Sequence, residues 1–186
     1  DNLNKDRLLI KEEENWFTIC DGVSANEEAG AKAAQIAIDG VKNTNIENLN
    51  NRGKLKNFVD NLGKQIKSIG GATTFTSIFL KPERNKAILF HTGDSECYFV
   101  YDNSIIKEFT IPTSLAYQFY KNGKIPKENI KNTPHYSNVL LECLNGKSIE
   151  LQITELSLKN VTHIILCTDG VNYVSPEMMA SFLSSK

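Results

Sequence analysis

Three aspartates, each adjacent to a glycine, lie where an apolar run of the sequence ends: Asp21, Asp94 and Asp169. An ionised carboxylate at the mouth of a buried strand costs several kcal/mol unless a cation meets it. No lysine or arginine lies within two residues of any of the three. Mg²⁺ and Mn²⁺ prefer carboxylate and carbonyl oxygens, so three such strand ends that converge in space would form an oxygen-ligand metal site.

A two-residue hairpin turn is the alternative for each aspartate-glycine pair. The residues after Asp21 disfavour a hairpin turn there, because they follow a helical pattern rather than that of a returning strand. After Asp169, Ser175 and Pro176 predict a helix start, which leaves room for only a very short second strand. Asp94 is equally consistent with a simple turn or bulge, because a strand pattern resumes directly after it.

Composition limits the classes of protein that this chain can belong to. With 186 residues and 40% hydrophobic content, the sequence predicts a single domain spanning residues 1–186. Its 21 basic and 22 acidic residues give no electrostatic case for nucleic acid or an anionic membrane. No apolar run approaches the length of a membrane span, and no signal peptide is visible, although the chain begins without Met.

Four cysteines are scattered through the sequence without a C-x-x-C pair, at positions 20, 97, 143 and 167. Most lie inside apolar strand patterns, which is typical of reduced core residues rather than of zinc ligands or disulfides. The cysteines therefore predict a cytoplasmic protein.

Strand patterns and two helices predict an α+β fold. A stripe of apolar residues at i, i+3, i+4 and i+7 spacing, from Leu55 to Ile69, predicts that the second helix lies on a sheet. Short turns between consecutive strands favour antiparallel meanders. The predicted strands cover roughly residues 6–11, 15–21, 72–81, 85–93, 96–101, 104–109, 138–142, 149–154 and 162–168, with both helices between residues 26 and 70.

Four motifs together resemble a known family. In order along the chain they are Asp21-Gly22 before an alanine-rich helix, Gly70-Gly71-Ala72-Thr73-Thr74, His91-Thr92-Gly93-Asp94-Ser95 and Leu166-Cys167-Thr168-Asp169-Gly170-Val171. In order and spacing they resemble the metal-dependent serine/threonine phosphatases of the protein phosphatase 2C (PPM) type. Asn4-Lys5-Asp6 is similar to the family's opening segment. The resemblance implies a β-sandwich of two antiparallel sheets flanked by α-helices, with metal ions held at one end.

The resemblance also implies a chemistry and a set of residues. Two Mg²⁺ or Mn²⁺ ions about 3.5–4 Å apart activate water for attack on a phosphomonoester. Asp21 would bridge both ions, with the Gly22 carbonyl on one of them, and Asp169 would bind the other. Asp6 would orient water at the metals, and Asp94 with Asp169 could hold a weaker third ion. The Thr73-Thr74 pair is expected to pack or to bond within its strand rather than to bind metal.

The sequence departs from the family pattern at several points. Lys5 stands where many relatives carry Glu, and the family's phosphate-binding Arg would fall at Asp1 or upstream. Glu96 replaces the usual Arg, which is expected to remove a structural ion pair. The chain ends at Lys186, before the Gly-x-x-Asp-Asn segment whose Asp is a metal ligand in the family. The resemblance therefore implies a C-terminally shortened fold, whether as a piece of a longer chain, a naturally short form or a degenerate domain, with reduced metal affinity if nothing replaces that carboxylate.

Two functions follow from these observations. The first is a cytoplasmic phosphoprotein phosphatase with a phosphorylated protein as substrate. The second is a catalytically weak or inactive phosphatase-like module that binds a partner. The retained Asp6, Asp21, Asp94 and Asp169 favour the first, because a purely structural domain does not need clustered carboxylates. By resemblance, residues 110–136 would form a flap beside the metals that governs substrate choice; the alternative is that Leu115 and Phe119, with Tyr120, only anchor this segment on the core.

Overall fold

The computed structural model describes residues 4–23, 26–102, 106–131, 133, 136, 139–171, 174, 178–179 and 181–182. The strands in these ranges are β1 (Asp6–Lys11), β2 (Trp16–Val23), β3 (Ala72–Thr73), β4 (Phe75–Lys81), β5 (Lys86–Thr92), β6 (Glu96–Tyr101), β7 (Ile106–Glu108), β8 (Gln152–Ser157) and β9 (Val161–Cys167). The α-helices are α1 (Glu27–Lys42), α2 (Arg52–Lys67) and α3 (Leu115–Lys121).

The strands form two antiparallel sheets. The first has the order β1-β2-β4-β5-β8, with β3 beside the end of β2. The second has the order β7-β6-β9. This architecture confirms the predicted fold class, a sandwich of antiparallel sheets with helices. None of the helices in the described residues has the length and apolar character of a membrane span.

Helices α1 and α2 cover the outer face of the first sheet. The Asn26 side chain begins α1 by accepting hydrogen bonds from the backbone N–H groups of Glu28 and Ala29. Alanines line the buried side of α1, which lets this helix lie close to the sheet. The apolar stripe of α2 is confirmed as its buried face. The main core packs these helices on Trp16 and Phe90 of the sheet.

A second core lies between the two sheets, around Leu89 and Phe99. Leu8 lies opposite Ile19, and Ile10 lies opposite Phe17, so both β1 residues belong to this inter-sheet face. They are nevertheless 68% and 56% exposed. Because β9 is the last strand of the second sheet among the described residues, an apolar groove of about 540 Å³ remains between β1 and β9.

Three predicted strands differ from the structure. The predicted strand 72–81 is interrupted at Thr74, whose backbone N–H donates to the Asp21 carbonyl. The strand predicted at 149–154 lies instead at Gln152–Ser157. The strand predicted at 138–142 is wrong for its described residues, 139–142. They make a single bridge, Leu140 with Ser114, because helix α3 begins at the next residue and ends the pairing.

The predicted helix start at Ser175 and Pro176 lies outside the described residues. Helical backbone is present at 178–179 and 181–182. Met179 packs with Tyr98 and Cys167 on the outer face of the second sheet. This part of the chain therefore covers the sheet face opposite the inter-sheet core.

Candidate metal centre

Asp21 lies near the end of β2 and is braced by two threonines. Its backbone N–H donates to the Thr74 hydroxyl at 2.9 Å, and its carbonyl accepts from the Thr73 hydroxyl at 2.8 Å. The Thr74 hydroxyl also bonds the Ser95 hydroxyl at 2.8 Å. The threonines thus fix the backbone of Asp21 through contacts between strands. Because Asp21 is paired inside a strand, the hairpin-turn alternative does not hold for it.

Asp6 begins β1 directly opposite Asp21. Its backbone N–H donates to the Asn4 side chain at 2.9 Å, which fixes the start of the strand. One carboxylate oxygen of Asp6 accepts a hydrogen bond from the Thr168 hydroxyl at 3.1 Å. Thr168 directly follows β9 of the other sheet, so this bond joins the two sheets beside the aspartates.

Asp94 lies in the connection from β5 to β6, which crosses from one sheet to the other. It is therefore not part of a hairpin. Gly93 has φ +109°, and a Cβ there would come within 2.7 Å of the Thr74 side chain. Thr113 holds this bend: its hydroxyl accepts from the Gly93 N–H at 2.9 Å, and its own N–H donates to the Gly93 carbonyl at 2.7 Å. Only glycine fits this positive φ and close approach.

Asp169 opens a 3₁₀ turn, Asp169–Val171, immediately after β9. The turn is closed by a bond from the Val171 N–H to the Thr168 carbonyl at 3.2 Å. Within the described residues a returning strand does not follow, so a hairpin is not formed here either. Asp169 is partly buried, as are Asp21 and Asp94.

Gly22 is required by the close approach of β2 to helix α1. A Cβ on Gly22 would lie 2.3 Å from the carbonyl oxygen of Gly30, which is far inside van der Waals contact. The first turn of α1 therefore packs directly on the backbone next to Asp21. This helix contact alone requires a glycine at position 22.

The carboxylates lie close enough to perturb one another. Burial first, and then the charges of Asp6, Asp169 and Asp94 and a hydrogen bond with the Asp6 side chain, together raise the pKa of Asp21 to about 8. Burial and the charge of Asp169 raise the pKa of Asp94 to about 7. Within the described residues, the ion pairs of the protein involve none of these four aspartates. They form a region of uncompensated negative charge that favours a bound cation.

The donor chemistry of this cluster fits hard divalent ions, because carboxylate and backbone carbonyl oxygens are their preferred ligands. In the described part of the chain, however, no three His, Cys, Asp or Glu residues are assembled into a group that could hold a metal ion. The four aspartates are therefore close enough for their charges to interact, but their carboxylates are not arranged as a set of metal ligands. A bound ion would have to draw their carboxylates together.

Glu96 corrects one expectation from the sequence. Its carboxylate is 5% exposed and lies 2.5 Å from the ammonium of Lys131, so this position keeps an ion pair with the charges reversed relative to an Arg. Tyr98 also donates its hydroxyl to Glu96. Sequence reasoning missed Lys131 because it lies far from Glu96 along the chain. It also missed the supporting roles of Thr113 and Thr168, although Thr168 directly precedes Asp169.

The sequence is similar to curated bacterial serine/threonine phosphatases over part of its length. No family model matches the sequence. The serine/threonine phosphatase stp of Listeria welshimeri is 29% identical over 119 residues, which are 62% of this chain and 45% of that protein. The corresponding stp of Listeria monocytogenes is 28% identical over 120 residues, 46% of its length. The matched part of the chain thus spans less than half the length of these curated relatives.

Solved structures share the fold along the whole chain. The Mycobacterium tuberculosis serine/threonine phosphatase PstP/Ppp superposes with a TM-score of 0.83 at 22% identity, covering 100% of this chain and 80% of that one. Stp1 from Staphylococcus aureus gives a TM-score of 0.86 at 19% identity, covering 99% and 78%. A structure of the PstP catalytic domain, with a TM-score of 0.78 at 20% identity and covering 100% and 80%, contains two manganese ions. These matches confirm the resemblance that the four motifs indicated.

Proposed function

We propose that this chain, which has the fold and the motifs of the PPM-type serine/threonine phosphatases, hydrolyses phosphoserine or phosphothreonine in proteins with the help of divalent metal ions. The observation that carries the proposal is the cluster of Asp6, Asp21, Asp94 and Asp169. Burial and mutual repulsion raise the pKa of two of these carboxyls, and no ion pair in the described residues compensates them. Such a cluster costs stability unless it serves to bind a cation.

The residues that would hold the metals follow from the resemblance. Asp21 would contact two ions, with the Gly22 carbonyl on one and Asp169 on the other, and Asp94 with Asp169 would hold a weaker third ion. When bound, the ions lower the pKa of water and neutralise the phosphate dianion. Manganese is favoured by the ions found in the PstP structure. Magnesium has the same preference for oxygen ligands.

The protein's own residues position these groups. Thr73 and Thr74 hold the backbone of Asp21, so its carboxylate approaches the cluster from a rigid strand end. Thr168 donates to one oxygen of Asp6, and the Asp6 side chain also hydrogen-bonds that of Asp21, so both contacts fix the carboxylate that, by resemblance, would orient the attacking water. Asp6 is exposed, so water and substrate can reach it. Pre-organised groups of this kind reduce the entropic cost of reaching the transition state.

A cytoplasmic location is part of the same proposal. All four cysteines are free and buried. Burial raises the pKa of the Cys20 and Cys97 thiols, which makes them packing residues rather than reactive ones. A phosphorylated protein is the proposed partner. Charge balance continues to predict that nucleic acid and membranes are not partners.

A phosphatase-like binding module is the second candidate. It is favoured by the lack of an assembled metal-holding group among the described residues and by Lys5 where many relatives carry Glu. Such a module would bind a phosphorylated segment at the same end of the sandwich without hydrolysing it. The two candidates differ in turnover, so kinetics separates them.

The test is hydrolysis of a phosphothreonine peptide with excess Mn²⁺, comparing wild type with Asp21→Ala and with Asp39→Ala. Asp39 is an exposed helical aspartate outside the cluster, so its variant is the matched control. We expect turnover by wild type and Asp39→Ala, loss of turnover with a chelator, loss in Asp21→Ala, and no phosphoenzyme intermediate. If wild type binds the peptide without hydrolysing it, or if Asp21→Ala hydrolyses it at the wild-type rate, the phosphatase proposal is wrong.

A further inference from the structure

A pocket of about 690 Å³ opens beside Asp94, outside the aspartate cluster. One side is formed by residues of β6 and β7, and the other by the segment 111–131. Its apolar and aromatic wall comes from Ile111, Pro112, Tyr117, Tyr120 and Ile130. The rest of its lining is mainly charged, with Asp94, Glu96, Glu108, Lys127, Glu128 and Lys131. Ile111 is 48% exposed, although it is a large apolar side chain. Because Asp94 belongs to both the pocket and the cluster, the pocket directly adjoins the cluster.

The second half of the segment, residues 121–131, is mostly exposed. The first half of the segment 111–131 contains helix α3, which is capped by the Ser114 side chain and held by the bridge from Ser114 to Leu140. From residue 121 to residue 129, every side chain except that of Ile125 is exposed. This stretch includes a 3₁₀ turn at Lys127–Asn129 without buried residues. Burial therefore does not fix residues 121–129 against the sheet.

Lys131 supplies a specific anchor at the far end of this stretch. Its ammonium lies 2.5 Å from the Glu96 carboxylate, which is 5% exposed at the start of β6. The same ammonium lies 3.2 Å from the Tyr98 hydroxyl and 5.9 Å from the centre of the Tyr98 ring. Tyr98 in turn donates to Glu96. Among the described residues, Lys131 is the only cation paired with the buried Glu96 carboxylate. Moving Lys131 away would leave that charge buried and unpaired, which is strongly unfavourable, so the ion pair favours one position of the segment.

We propose that the Lys131–Glu96 ion pair positions residues 121–131 over this pocket, and that the pocket receives an apolar side chain flanking the phosphorylated residue of a substrate protein. The proposal rests on the proposed function, because the pocket is defined relative to the reacting phosphate. Lys131 and Glu96 act as positioning residues; neither touches the phosphate. Fixing the segment in advance lowers the cost of ordering it when the polypeptide binds.

The kinetic test compares wild type with Lys131→Met on three substrates: a phosphothreonine peptide with Leu beside the phosphothreonine, the same peptide with Gly there, and a small aryl phosphate. We expect Lys131→Met to raise KM for the Leu peptide about tenfold with little change in kcat, and to remove the preference for Leu over Gly. Hydrolysis of the aryl phosphate should stay unchanged. Lys131→Arg should retain wild-type behaviour, and Lys121→Met, at the exposed end of α3, is the control for loss of a surface charge.

Equal losses on the peptide and the aryl phosphate would overturn the positioning role, and so would an unchanged KM. Amide hydrogen exchange of residues 121–131 is a second measurement that does not need activity. Exchange should become about tenfold faster in Lys131→Met and stay unchanged in Lys121→Met. If wild type hydrolyses none of the substrates, the proposed function fails. Unchanged exchange in Lys131→Met then overturns the positioning role as well, whereas faster exchange supports it.

Discussion

Asp6 and Asp21 face each other across the β1–β2 pair, and the Thr168 hydroxyl of the opposite sheet bonds the Asp6 carboxylate at 3.1 Å. Two carboxylates in directly opposed positions destabilise a strand pair. Here that repulsion lies at the point where the two sheets meet. The arrangement concentrates acidic groups at one end of the sandwich.

Removing the charge of Asp21 should stabilise the metal-free protein at high pH. The pKa of Asp21 is raised from 3.8 to about 8 in the folded state. Its contribution to the free energy of unfolding is therefore fully present below pH 3.8 and is lost as pH rises to about 8. In a chelator at pH 8, Asp21→Asn should therefore melt roughly 2–4 °C above wild type, after allowance for solvent screening. The difference should vanish near pH 4. A lower melting temperature for Asp21→Asn at pH 8 would contradict the account of repulsion.

Thr74 should matter for metal binding as well as for stability. Thr74→Val removes the bonds to the Asp21 N–H and to the Ser95 hydroxyl. Thr18→Val is a matched control, because Thr18 is equally buried and bonds the Ser77 hydroxyl at 2.7 Å away from the aspartates. Both variants should lose about 1–3 kcal/mol of unfolding free energy. Only Thr74→Val should weaken Mn²⁺ binding, by about 10- to 100-fold, as measured by calorimetry. Equal Mn²⁺ affinities in the two variants would show that the hydrogen bonds of the Thr74 hydroxyl contribute to stability only.

His91 should give the protein an acid-sensitive stability. Burial lowers the pKa of His91 from 6.5 to about 4, and one ring nitrogen bonds the Thr76 hydroxyl at 2.8 Å. Below pH 6.5 His91 binds a proton in the unfolded chain but stays neutral in the folded protein. The free energy of unfolding therefore decreases as pH falls from 6.5 to about 4. The loss should be about 3 kcal/mol.

Urea denaturation of wild type and His91→Gln at pH 7 and pH 4.5 measures this effect. The wild type should lose more stability over that interval than His91→Gln does, whatever the absolute stability of the variant. The exposed His163 supplies the control, since His163→Gln should keep the wild-type dependence. The same pH dependence in wild type and His91→Gln would mean that His91 does not carry the effect.

The sequence predicted the elements that place the aspartates because these elements follow local rules. The stripe predicted from Leu55 to Ile69 repeats with helical period, and the burial of α2 follows from its members up to Ile66, whereas Ile69 lies beyond the end of the helix. Asp21 and Asp169 each end an apolar run, and the structure places them near the ends of β2 and β9. These patterns need no knowledge of distant residues.

Contacts between distant residues could not be predicted in the same way. Thr74 interrupts a strand pattern because it bonds Asp21 on another strand, and local alternation does not report such a partner. Glu96 and Lys131 form an ion pair although 34 residues separate them in the sequence. The expectation that the ion pair is lost considered only the residue type at position 96. Thr113, which holds the Gly93 bend, carried no signal in its own neighbourhood.

Direct binding of Mn²⁺ tests the central claim, that the aspartate cluster is a divalent metal site. Calorimetric titration at pH 7.5 should show binding by wild type and by Asp39→Asn, accompanied in both by a rise in melting temperature, because a ligand bound only by the folded state stabilises it. Asp21→Asn keeps the shape of the side chain and removes its charge, so its binding heat and thermal shift should be lost. Wild type that gives no heat and no thermal shift with millimolar Mn²⁺, or Asp21→Asn that binds as tightly as wild type, would contradict the claim.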